Sequence, residues 1–177
     1  MKKIYKPTEI VPPFYQRYIG LVPDDGNLLI HLEDICSETE ELISPLSEDK
    51  MNYRYAPGKW SLKDMIVHLS DSERIFVYRA LRFSRGDETA LAGFEESDYA
   101  EYARASERDK EDILREFCLV REASISFVES LSDEALNRKG IANGFSVSVR
   151  LLVNLLYGHH KHHLNIMRER YLNHGSK

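Results

Sequence analysis

From residue 113 to residue 131, apolar and small side chains recur at intervals of four, three, four, three and four: Ile113, Phe117, Val120, Ser124, Phe127 and Leu131. That alternation marks one helix face laid along a neighbouring helix. The same stepping returns in Leu152, Leu156, His159, His163, Ile166 and Arg170, and again in Leu28, Leu32, Ile35, Thr39 and Leu42. A fourth stretch puts Leu62, Ile66, Leu69, Phe76 and Ala80 on one face. Four such stretches with no convincing strand between them predict an all-α protein, an antiparallel four-helix bundle.

Punctuation sets the expected ends. Pro23-Asp24-Asp25-Gly26 leads into helix A, over about 26–43, and Pro45 stops it. After the Pro57-Gly58 turn, Ser61 with Asp64 three residues on reads as an N-cap and its capping-box partner. They open helix B, which runs to about Arg85 before Gly86. Helix C is expected from near Ser106, and helix D from Ser146 or Ser148 to about Tyr171. Residues 137–144 read as a polar turn ending in Asn143-Gly144. Residues 86–105 lack periodicity, and a connection of that length serves as a lid, a binding loop or a cover. Residues 1–23 hold four of the six prolines together with Tyr5, Phe14, Tyr15 and Tyr18, and read as an ordered arm against the body.

One domain is therefore expected over 1–177: the arm 1–23, a bundle over about 24–172 and a tail 173–177. Long A–B and B–C connections leave room for a bundle that is not simply up-and-down. Helix D carries a second apolar stripe (Val153, Tyr157, Leu164, Met167, Tyr171), so both its sides need cover. The arm or a second copy of the chain can supply it, and a homodimer is expected.

Charge narrows the partners. The 29 acids outnumber the 24 lysines and arginines, for a net charge of −5. Nucleic-acid binding and a basic membrane patch both need clustered excess base, so neither is expected. No window approaches the roughly 18–20 apolar residues of a membrane span. Met1-Lys2-Lys3 is not the head of a signal peptide either, because Lys6, Pro7, Glu9, Pro12, Pro13 and Arg17 interrupt the stretch from Ile4 to Tyr18. Cys36 and Cys118 stand far apart in sequence with no C-x-x-C, as buried small hydrophobes in a reducing cytoplasm. A neutral or anionic small molecule in an interior site remains open as substrate.

Histidines carry the chemical signal. Four of the seven fall in Gly158-His159-His160-Lys161-His162-His163. His159 and His163, four apart, share one face, and that face is the core stripe of helix D. Two buried imidazoles without partners cost about 1–3 kcal/mol each, and a metal ion supplies both partners at once. His68 adjoins the core face of helix B, with the small Ser72 one turn on and Ser124 on the facing seam leaving room for an ion and a ligand. Taken singly, a core-facing His68 is more simply a hydrogen-bonded core residue, and an i, i+4 pair arises by chance on many helices. Together the three make a His₃ set with an open position, the catalytic type of site. His31, His160, His162 and His174 read as surface, packing or supporting groups. Phosphate loops, dinucleotide fingerprints, G-x-S-x-G, H-E-x-x-H and the E-x-x-H of di-iron bundles are all missing.

Three segments taken in order resemble the DinB/YfiT-like superfamily: Tyr55-Ala56-Pro57-Gly58-Lys59-Trp60-Ser61-Leu62-Lys63-Asp64, His68-Leu69-Ser70-Asp71-Ser72-Glu73, and Gly158 to His163. Tyr15-Gln16-Arg17-Tyr18-Ile19 with Leu21-Val22-Pro23 also resembles a subset of its members. The resemblance covers roughly residues 12–172. It implies a four-helix bundle, often a homodimer, with a divalent ion on His68, His159 and His163. Members of that superfamily are similar to metal-dependent transferases or isomerases using low-molecular-weight thiols such as bacillithiol or mycothiol, and others to metal-dependent hydrolases.

Three functions are expected. The first is a thiol S-transferase, in which the ion lowers the pKa of a bound thiol and holds it against an electrophile. Arg79, Arg82, Arg168 and Arg170 are candidates to receive a carboxylate of that thiol. The second is a hydrolase with a metal-activated water, for which Asp71 is the one carboxylate nominated as orienter or base. The third is a non-catalytic bundle that uses metal for stability or sensing, or holds no metal at all. Three imidazoles suit zinc by default, and also nickel, iron, cobalt, copper or manganese.

Overall fold

The computed structural model describes residues 2–172. In chain order its helices are α1 (Pro13–Ile19), α2 (Leu28–Ile43), α3 (Glu48–Asn52), α4 (Leu62–Ser84), α5 (Glu96–Tyr102), α6 (Lys110–Ser130), α7 (Asp133–Asn137) and α8 (Val149–Ile166). Strands β1 (Lys139–Ala142) and β2 (Phe145–Ser148) lie between α7 and α8, and a π-helical stretch, Met167–Leu172, continues α8. The predicted helices A to D are α2, α4, α6 and α8. The tail 173–177, with His174, lies outside the described residues.

Local chemistry starts these helices as expected. The Asp64 carboxylate accepts from the Ser61 backbone N–H at 2.8 Å, while Ser61 Oγ accepts from the Asp64 N–H at 3.1 Å, closing the capping box of α4. Ser148 caps α8 by accepting from the Leu151 N–H at 2.9 Å. α6 begins at Lys110 with Asp109 at its N-cap, not near Ser106, because Ala105–Glu107 form a separate 3₁₀ turn after a left-handed Arg104.

Around the bundle α4 packs on α6 and α8, and α2 packs on the same two helices, so the chain neighbours α2 and α4 lie on a diagonal. Two apolar clusters fill its two ends. One gathers the start of α2 (Leu28, Leu32), the end of α4 (Phe76, Phe83), the end of α6 (Val128) and the start of α8 (Leu152, Leu156). The other gathers Ile43, Leu62, Ile66, Ile113, Phe117 and Leu164. α2 and α8 therefore run one way and α4 and α6 the other. The expected antiparallel arrangement holds for α4–α8 and α2–α6, whereas α4–α6 and α2–α8 are parallel pairs. Parallel α4 and α6 force the chain back along the whole bundle, which is why the segment before α6 is long.

Three departures from expectation have clear causes. The polar turn is the tip of a hairpin: Asn143 and Gly144 both have positive φ (51° and 78°), the conformation that a two-residue turn demands of asparagine and glycine. On α6 the buried face is Phe117, Arg121, Ser124, Val128 and Leu131, while Val120 and Phe127 are only half-buried. On α8 the four–three stripe ends at Ile166. The wider π turns then bring Met167 and Tyr171 inward and leave Arg170 exposed.

The arm is ordered. Ile4 bridges Asn27, with its N–H on the Gly26 carbonyl at 2.9 Å, and α1 packs along α8. It can come this close because residue 158 is glycine: a Cβ there would stand 2.2 Å from the Tyr18 carbonyl oxygen. The arm thus supplies cover to the outer side of α8. Cys36 and Cys118, distant in sequence, are half-buried free thiols that meet across α2 and α6, and burial pushes Cys36 up to about 12.

Candidate metal centre

Between the two apolar clusters a belt of polar side chains crosses the bundle at mid-height. Its first part is the histidine set. α4 contributes His68 and α8 contributes His159 and His163, one turn apart. The Nε2 atoms of His68 and His163 stand 3.1 and 3.2 Å from that of His159, and the ligand atoms of all three lie within 4.8 Å of one another. Nitrogens bound tetrahedrally to zinc at 2.0–2.1 Å stand about 3.4 Å apart, so the spacing fits a shared ion. A proton fits it worse: a single Nε2 lone pair on His159 cannot accept well from both neighbours at once, and Nδ1 of His163 is buried without a partner. Burial also lowers the ring pKa values, to about 4 for His68 and well below the ordinary range for His159 and His163. The rings are neutral near pH 7, as ligands must be.

Aromatic side chains wall the cluster. The Trp60 ring lies 4.6 Å from His68 and nearly parallel to His163 at 6.3 Å, and the Tyr171 hydroxyl holds this loop by donating to the Trp60 carbonyl. Tyr18 of the arm and Phe76 of α4 present edges to His159 at 5.2 and 5.7 Å. Ser72 Oγ lies 3.4 Å from Nδ1 of His68.

Two cavities reach the histidines. One, of about 170 Å³, opens beside His159 and is lined by Tyr15, Arg17, Tyr18, Arg79, Phe94 and Glu96 among others. The second, about 290 Å³, touches His163 under Trp60 and Tyr55. Glu96, exposed on α5, has its carboxyl held above its ordinary value by partial desolvation at the cavity wall, against the opposing pull of Arg17.

The second part of the belt is a buried ionic network that the sequence patterns did not reveal. Arg121 is 2% exposed and Glu73 is 4% exposed. The guanidinium forks onto the carboxylate, with Nη2 donating at 2.6 Å and Nε at 3.0 Å. It also donates to the Leu32 carbonyl at 3.1 Å and meets Nδ1 of His160 at 3.2 Å, while Nε2 of His160 meets Thr39 Oγ1 at 2.8 Å. His160 is thereby a supporting group that fixes the rotation of α8 next to His159. The one available signal was a second seam on α6, Phe117, Arg121, Ser124, Val128 and Leu131, which steps as regularly as the apolar one.

Other nominated residues fall elsewhere. Asp71 sits among Arg74, Arg108 and Glu116 at the α4–α6 surface, 3.4 Å from Arg74, and lines neither cavity at the histidines. Arg82 pairs with Asp87, Arg168 pairs with Glu38, and Arg170 is exposed. Of the four nominated arginines, Arg79 alone faces the site. His31 pairs with Asp25 at 3.0 Å, and His162 packs half-buried against Tyr18.

Comparison with known proteins agrees with this architecture. YfiT from Bacillus subtilis, described as a probable metal-dependent hydrolase with an unusual four-helix bundle topology, superposes with a TM-score of 0.79 at 16% identity, covering 98% of this chain and 95% of that one. The DinB-like protein YjoA from Bacillus subtilis gives 0.60 at 21% identity over 85% and 92%. A mycothiol-dependent maleylpyruvate isomerase gives 0.59 at 14% identity over 76% of this chain and 58% of its own. No curated protein sequence matches significantly. A match to the DinB superfamily spans residues 31–167. That match runs from the first turn of α2 to the end of α8 and takes in all three clustered histidines, and on its strength the chain belongs to the DinB superfamily.

Proposed function

We propose that the protein is a metal-dependent enzyme that holds one divalent ion, zinc by default, on His68, His159 and His163. Its reaction joins a low-molecular-weight thiol of the bacillithiol type to an electrophilic small molecule. The observation that carries this reading is the convergence of three neutral nitrogens beside a cavity, with no carboxylate among the described groups that touch them. An ion held by His68, His159 and His163 would keep its charge largely uncompensated and would lower the pKa of a thiol bound beside it. The chain's own part is to hold three nitrogens rigid on two packed helices and to shut out bulk water with Trp60, Tyr18 and Phe76. Likeness in fold to a mycothiol-dependent isomerase supports this reading.

A hydrolase is the second reading. It is favoured by Glu96, whose raised carboxyl lines the cavity at His159 and can take a proton from an attacking water, and by the fold shared with YfiT. The free thiols suit a cytoplasmic protein. A homodimer is proposed as well, and light scattering checks it.

Elemental analysis of untagged protein tests the metal. About one equivalent of a divalent ion is expected, and it disappears in His163→Ala while circular dichroism keeps the helical signal. Absence of metal after zinc incubation and desalting rejects the proposal. With metal in place, consumption of a low-molecular-weight thiol against an epoxide or chlorinated aromatic supports transfer. Thiol-independent ester cleavage lost in Glu96→Gln supports the hydrolase instead.

A further inference from the structure

The cavity beside His159 holds an unbalanced charge. Arg79 on α4 is 4% exposed and lines this cavity, where Nη2 donates to the Ala92 carbonyl at 2.7 Å and the guanidinium stands beside the Tyr15 hydroxyl. Both of those partners are neutral, and no described carboxylate lies within ion-pair distance. Arg121, buried to a similar degree one helix away, is forked onto Glu73. A guanidinium taken out of water needs an anion, and the fold that provides one for Arg121 provides none for Arg79.

A second cation stands nearby. Arg17 comes from the arm, lines the same cavity and lies over the Tyr18 ring at 4.6 Å. The only acid among the described lining residues is Glu96, so the walls carry two positive charges and one negative, a surplus of one. Tyr15, Tyr18 and Asn143 add neutral hydrogen-bonding groups. At about 170 Å³ the space suits a molecule of a few carbons.

We propose that this cavity takes a small carboxylate, its anion paired with the Arg79 guanidinium and flanked by Arg17, its other end directed at His159. The planar guanidinium presents a fork that matches a carboxylate, and the surplus of one charge matches a monoanion. The inference rests on the enzyme reading for its meaning, since it names the class of small-molecule substrate, but the anion site can be tested without metal.

Titration calorimetry with propionate, propionamide and inorganic phosphate, on metal-free and zinc-loaded protein, makes that test. Propionate is expected to bind metal-free protein, the uncharged propionamide not to bind, and Arg79→Gln to weaken propionate by about tenfold or more, with Arg79→Lys in between. Arg79→Gln should melt at or above the wild-type temperature, because it removes an unpaired buried charge; a merely structural arginine would lower it. A lower melting temperature with unchanged propionate affinity overturns the proposal. So does phosphate binding more tightly than propionate. Propionate that binds only zinc-loaded protein, indifferent to Arg79→Gln, overturns it too and leaves the metal reading intact. Arg79-dependent binding in a protein that takes up no metal upholds the anion site and rejects the metal reading.

Discussion

Arg121 reaches Glu73 on α4, the Leu32 carbonyl on α2 and His160 on α8 from its own place on α6, so one side chain ties all four long helices at one height. Truncating one member of a buried pair strands the other charge. Arg121→Met should therefore lower unfolding stability by about 3–5 kcal/mol, measured by urea titration. Adding Glu73→Gln should recover part of that loss, because the stranded carboxylate is then neutral. Residue patterns exposed the histidines and hid this pair for one reason. A four–three stripe stands out among apolar and small residues, and His159 and His163 sit on such a stripe, whereas Arg121 and Glu73 look like solvated charges until the helix rotation is known. Three of the charged and aromatic groups at the cavity (Tyr15, Arg17, Tyr18) were beyond periodicity altogether, since they arrive on an arm with no stripe.

At the scale of elements, α8 is the pivot, with buried side chains on nearly every face. Its two-sided apolar pattern was readable in the sequence; what covers the outer side was not, because a helix records that it is covered and not by what. The arm takes that place through Gly158. Gly158→Ala drives a methyl into the Tyr18 carbonyl and should unseat α1, at a cost of about 1–3 kcal/mol. Trypsin should then cut after Arg17 far faster than in the wild type, while metal content stays unchanged, because all three histidines keep their helices. The hairpin was hidden for a different reason. Its strands are four residues each, too short for alternation to show, and only Asn143-Gly144 announced it.

Over the whole molecule, the number, type and approximate limits of the long helices were legible, and so was the histidine set. Helix direction was not, because an amphipathic stripe is the same read upward or downward. The length of the segment from 85 to 109 was the sole hint that the chain must travel back along α4, about 35 Å for its 23 residues, before α6 can begin. The belt of buried imidazoles also sets a global pH dependence. Folded, His68 protonates only near 4 and His159 and His163 lower than usual, whereas in the unfolded chain they take up protons near 6.5. Below that value the unfolded chain binds more protons, so metal-free protein should lose stability as pH falls from about 6.5 towards 4, by up to about 1.4 kcal/mol per pH unit per ring. Urea midpoints at pH 7.5, 6 and 5 check the slope, and a flat profile would contradict neutral buried rings.

The seat of the arm against α8 also has a consequence for how the molecule is born. The ribosome releases residues 13–19 well before residues 149–166, yet each needs the other for cover. At roughly 5–20 residues per second the arm waits many seconds for its receptor, and no emerging fragment can assemble the pocket it will line. Competence waits for α8 to leave the exit tunnel.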